Sequence, residues 1–183
     1  MATKREPNVP YRWRILLART LLALGLLATP AWALDTPNER ITLVGLTGVH
    51  VVLDELGEES ERKGLTAASL QAEVDRRLRR AGLRVLTPTE ALASVGRPTL
   101  HLRVSVLRAP DAADLYVYSV DLSLRQQVRL VRDRTIESYA VTWSENRVVG
   151  AVRTDRLGVV RDVLLQKVNE FVTAWRVSNQ ERY

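Results

Sequence analysis

Cysteine is absent from the 183 residues, histidine occurs twice, and phenylalanine and methionine occur once each. Without thiols there is no disulfide framework, no thiol nucleophile and no cysteine metal ligand, so stability rests on packing. His50 and His101 are too few for a histidine-rich metal site. Glycine-rich phosphate loops, the His-Glu-x-x-His pattern and the Gly-x-Ser-x-Gly pattern are missing too. Lysine is confined to Lys4, Lys63 and Lys167, and arginine carries the remaining positive charge. Long apolar runs are lacking. The longest charge-free stretch, Thr20 to Leu34, is interrupted by Pro30 and falls short of the ~20 residues a spanning helix needs. These absences predict a protein that is not an enzyme and carries neither metal nor cofactor.

What is present begins with the leader. Lys4, Arg5, Arg12, Arg14 and Arg19 precede the apolar segment Leu21 to Ala28, and Ala31-Trp32-Ala33 follows Pro30. This order of a basic region, a short apolar core and small residues is that of a secretory signal peptide over residues 1–33. An uncleaved anchor would set Arg19 near the middle of the span, at high cost. No cysteine follows for lipid attachment, and no Arg-Arg pair precedes the core. A periplasmic or secreted location is expected, with membrane contact only through the leader if it is retained.

Residues 34–183 then hold 22 basic and 20 acidic residues, so most of the +6 net charge belongs to the leader. Such a balance does not point to nucleic acid, whose footprint is a clustered basic face. A chain of this length fits one domain.

Residues 34–39 read as a flexible exit. Ile41 to Leu53 is rich in strand formers, with Val49, Val51 and Leu53 alternating with His50, Val52 and Asp54. The acidic run Asp54-Glu55 to Glu58-Glu59 reads as a loop of solvated charges; its oxygens suit calcium, but their spacing is not that of an EF-hand. Thr66 is set to cap a helix carrying the stripe Leu70, Val74, Leu78 and Ala81, with Gly82 as its left-handed stop. Arg76, Arg77, Arg79 and Arg80 crowd its last turn. They read as favourable charge at the negative end of the helix dipole rather than as a patch for anionic lipid or another acidic partner. A short strand Leu83–Leu86 follows, and Thr87-Pro88-Thr89-Glu90 has the form of a capping box opening a helix over 88–94.

Leu100, Leu102, Val104 and Val106 alternate with His101, Arg103 and Ser105. Tyr116 through Leu130 keeps one parity apolar except for Gln126, and sixteen residues predict a bend or bulge near Arg125-Gln126-Gln127. Tyr139, Val141 and Trp143 then alternate with polar residues. Asn146 to Arg153 is open between strand and loop. A last helix, capped at Thr154 or Asp155, carries Leu157, Val160, Leu164, Val168, Phe171 and Trp175, with Lys167 outside the stripe. The elements predict an α+β two-layer sandwich: a mainly antiparallel sheet of four to five strands with two main helices on one face.

Three candidate sites follow from parity. His101, Arg103, Asp121, Arg125 and Arg129 share the polar sheet face and form a candidate interaction surface, otherwise a wet face of cross-strand ion pairs. Tyr116, Tyr118, Tyr139 and Trp143 are candidates to line a pocket between sheet and helices. Ser119, His101 and Asp121 contain the residue types of a hydrolase relay, but a flat sheet face offers neither enclosure nor an oxyanion hole.

Several stretches carry a family resemblance: Gly48 to Leu53, Gly64-Leu65-Thr66, Val74 to Leu86, and Leu115 to Val120. In these the chain resembles exported bacterial proteins of unassigned function, each a single small α+β domain behind a signal peptide. Its element order is more distantly similar to the N-terminal domain of the TolB translocation protein. The resemblance implies an exported α+β protein and supplies no catalytic residues. The expected function is a non-enzymatic periplasmic role through protein contacts, as an accessory of an envelope or secretion assembly. The alternative is a carrier of a small molecule or lipid in the aromatic-lined pocket.

Overall fold

A computed structural model describes residues 37–180 apart from 55, 57–59, 62, 63 and 113. The expected signal peptide, residues 1–33, lies outside the described residues. Instead of a flexible exit and a strand from Ile41, a short helix α1 (Pro37–Arg40) runs into a 3-10 turn (Ile41–Leu43). Thr42 Oγ1 lies 2.7 Å from the Glu39 carbonyl, a local bond that competes with extended backbone. Leu43 points into the core, and Gly45, at φ 76°, turns the chain toward β1 (Gly48–Leu53).

Helix α2 (Ala67–Arg80) starts where the Thr66 hydroxyl accepts the Ser69 N–H. It ends in a Schellman motif: Gly82 sits at φ 92°, its N–H reaches the Arg79 carbonyl, and the Leu83 N–H reaches that of Leu78. Strand β2 (Arg84–Val85) and helix α3 (Pro88–Ala93) follow, the latter opened by the reciprocal Thr87–Glu90 capping box. The chain then meanders through β3 (Thr99–Arg108), β4 (Leu115–Leu130), β5 (Asp133–Ser144) and β6 (Val148–Arg153) before helix α4 (Gly158–Gln180).

The sheet has six strands in the order β2-β1-β3-β4-β5, with β6 also on β4. β1 pairs in parallel with both β2 and β3, and the remaining pairs are antiparallel. The α+β sandwich is as expected, but the sheet is mixed and has one strand more. The open segment at 146–153 is a strand because β4 is long enough to serve two partners on one edge. Its first half takes β6 (Leu115↔Arg153 to Val120↔Val148) and its second half takes β5.

Alternate residues of β1, β3 and β4 face the helices and form one core with Leu70, Val74 and Leu78 of α2 and Val160, Leu164, Val168 and Phe171 of α4. Trp143 is fully buried there, edge-on to Phe171 with ring centroids 5.1 Å apart, a geometry worth about 0.5–1.5 kcal/mol beyond burial. Trp175 is partly buried and donates Nε1–H to the Leu46 carbonyl at 2.7 Å. Lys167, expected on the wet side of α4, is buried and bridges Glu145 and Glu170.

The expected irregularity in the long strand is present, with the additional residue on its neighbour. Leu124 pairs with Trp143 and Arg125 with Val141, which leaves Thr142 as the extra residue of a β-bulge. Gln126, the polar exception in the inward stripe, holds this point. Its Nε2 donates to Thr142 Oγ1 at 2.8 Å and to the Thr42 carbonyl at 3.2 Å. The Thr42 hydroxyl also lies 3.0 Å from the Thr142 carbonyl.

Candidate functional site

The face of the sheet away from α2 and α4 is built by the opposite parity. Antiparallel pairing sets His101 across from Ser123, Arg103 across from Asp121, and Thr99 across from Arg125. Because paired residues share a face, His101, Arg103, Asp121, Arg125 and Arg129 all lie on this side. Most of their charge is already matched. Asp54, just past β1, takes His101 Nε2 at 3.0 Å and Arg103 Nε at 2.9 Å. Arg147 reaches Asp121 at 3.2 Å, and Arg129 reaches Glu137, its cross-strand neighbour, at 2.7 Å. Gln127 also donates to Glu137.

Asp54 therefore departs from the reading of its loop as freely solvated charge. The Arg103 hydrogen bond, helped by the charge of His101, holds its carboxyl below the usual aspartate range against a smaller opposing effect of burial. The signal for it was present in the alternation His50, Val52, Asp54, which puts Asp54 on the wet parity of β1. What the sequence does not carry is the parallel register, His50↔Thr99 through Leu53↔Leu102, that brings this parity beside His101 and Arg103.

One end of the same face is apolar. Leu107 pairs with Val117 and Val117 with Ala151, so three strands contribute a continuous row, and Val149 adjoins it across from Ser119. Leu107 is 70% exposed and Val149 65%. Single exposed apolar residues are ordinary; here four adjoin on a face that no described element covers.

The proposed aromatic pocket is not assembled. Tyr116, Tyr118 and Trp143 are buried on the inner side, but Tyr139 is 53% exposed, as is Val141. The bulge at Thr142 is the reason. One additional residue reverses the side-chain parity of β5, sending Tyr139 and Val141 to the opposite face from Trp143. Tyr139 Oη there accepts a hydrogen bond from Arg97 at 3.4 Å. The Ser119–His101–Asp121 relay does not form either. The residue facing His101 is Ser123, and Ser119 lies four residues along β4, roughly 13 Å away at strand rise. Ser123 itself is buried at mid-strand, paired on both edges by His101 and Ser144.

No known family profile matches the chain, and no curated protein matches it in sequence. The resemblance to exported proteins thus rests on its own residues. Among the described residues, no helix is long and apolar enough to cross a membrane.

Proposed function

We propose that this is an exported, non-catalytic binding module of the cell envelope, which engages a protein partner through the uncovered face of its sheet. The observation that carries this reading is the apolar row Leu107, Val117 and Ala151, flanked by Val149, on a face most of whose charges are internally paired. Such a face exposes little free charge, so its contribution to binding is burial at the apolar end, with the ion pairs fixing orientation at the rim. The leader sequence supports the exported location.

The test is a photocrosslinking residue placed at position 117 in cells, with a second chain carrying it at the exposed Asp162 of α4. A discrete adduct at 117 in the periplasmic fraction, absent at 162 and lost on adding Leu107→Asp with Val149→Asp, is the expected result. Equal adducts at both positions, or none at 117, would overturn the reading.

A further inference from the structure

The opposite side of the molecule carries a second, unrelated feature. Glu73 and Arg77 of α2 and Ala81, the residue that caps its end, meet Arg161, Asn169 and Arg176 on α4 in that order, so the two helices run in the same direction. Between them lies an open groove of about 450 Å³, within the size range of small-molecule sites. Its walls are Arg76, Arg77 and Arg80 from one helix and Arg161 and Arg176 from the other, and Val172 and Ala81 give it an apolar floor. Glu73 is the one acidic residue of the lining.

Three of these guanidinium groups are held in place. Arg161 grips Glu73 through Nε and Nη2 at 2.6–3.0 Å. Arg77 donates to Asn169 Oδ1 at 2.9 Å, and Arg176 to the Ala81 carbonyl at 3.3 Å. Arg76 and Arg80 make no hydrogen bond or close ion pair among the described residues.

The helix dipole does not account for this cluster. It favours arginine in the last turn of α2, but Arg161 is the fourth residue of α4, at the end where a cation is disfavoured. Five guanidinium groups against one carboxylate leave an excess of four positive charges, more than a single carboxylate ligand would neutralise. A phosphate monoester carries close to two negative charges and three acceptor oxygens, which several guanidinium forks can share. We infer that this groove binds the phosphate group of a phosphorylated organic ligand, Arg76 and Arg80 closing on its oxygens while Val172 and Ala81 meet its apolar body.

Phosphate chemistry has two sources here, a soluble phosphate ester or a phospholipid headgroup. The test uses the full chain and the double variant Arg76→Gln with Arg80→Gln, which breaks no hydrogen bond or close ion pair among the described residues. Arg79→Gln serves as control, because Arg79 pairs outward with Asp75 and does not line the groove. Calorimetry with glycerol 3-phosphate reads the soluble source. Co-sedimentation with phosphatidylcholine vesicles, with and without phosphatidic acid, reads the lipid source. The leader's own affinity for vesicles is common to all three chains and cancels between them. Saturable binding in either arm, weakened ~10-fold or more by the double variant and unchanged by Arg79→Gln, supports the inference and assigns the source. Absence of binding in both arms, or equal weakening by the Arg79 control, overturns it.

Discussion

Replacing Gln126 with leucine separates pattern from geometry. By hydrophobic pattern alone Gln126→Leu completes the inward stripe of β4 and should stabilise the fold. The structure predicts the reverse. The amide makes two hydrogen bonds, to Thr142 Oγ1 and the Thr42 carbonyl, and those two groups fix the bulge and the N-terminal turn against each other. Leucine removes both bonds and leaves a half-buried carbonyl without its donor. A net hydrogen bond contributes about 0.5–1.5 kcal/mol, and an acceptor left unmatched costs about 1–3. Gln126 is only partly buried, and leucine recovers some apolar contact, so we expect a loss of about 1–2 kcal/mol. Urea denaturation followed by far-UV circular dichroism reads the difference as a shift of midpoint at constant slope. Hydrogen exchange should show faster opening of β5 amides near Thr142 than of those in α4. A variant as stable as the parent, or more stable, would refute the account of the bulge as a locked joint.

Two other expectations follow from named contacts. A Cβ at position 150 would fall 2.6 Å from Tyr118 Oη, so Gly150→Ala must displace the Tyr118 ring that lies over β6. We expect a loss of about 1–3 kcal/mol, in the range of overpacking, and no loss for Gly150→Ala combined with Tyr118→Leu relative to Tyr118→Leu alone. Asp54, whose carboxyl is held low chiefly by Arg103, contributes stability that is present above the ordinary aspartate pKa of about 3.9 and is lost as pH falls through its depressed folded value. Asp54→Asn should therefore be less stable than the parent at neutral pH and nearly equal to it in strong acid, a convergence that denaturation at stepped pH would reveal. A constant gap across that range would refute the pairing.

Most local signals proved legible where their cause is local; the expected cap of the last helix at Thr154 or Asp155 is the exception, since these residues form a 3-10 turn and α4 begins at Gly158. Thr66, Thr87 with Glu90, and Gly82 each satisfy backbone groups within a few residues, and each helix end falls where these residues stand. Alternation likewise gave the faces of β3 and β4 correctly. It failed on β5, because a bulge adds one residue without changing the apolar–polar spelling, and Tyr139 and Trp143 keep the same parity in sequence while lying on opposite faces. It failed again at residues 37–47, where the Thr42 side chain and the left-handed Gly45 outweigh the strand propensity of Ile41, Leu43 and Val44. Partners distant in sequence left no mark at all. Asp54 with Arg103, Glu73 with Arg161, and Lys167 with Glu145 are joined only once the register and the helix directions are known. The arginine groove is of this kind. Half of it reads as a dipole effect on α2, and only the arrival of α4 alongside makes the excess charge visible.

The parallel pairing of β1 with β3 also bears on the order in which the chain can fold as it is made. His50 meets Thr99, so as the chain is made β1 gains its main neighbour only after nearly fifty more residues have followed. β2 offers it only two residues, Gly48↔Arg84 and Val49↔Val85. The later strands differ: β3 with β4 and β4 with β5 meet through short connections and can pair as they appear, and β6 then returns past β5 to the free first half of β4. A nascent chain of this design stays open at its front and closes from its rear. That timing keeps the leading segment threadable until synthesis has passed the middle of the domain.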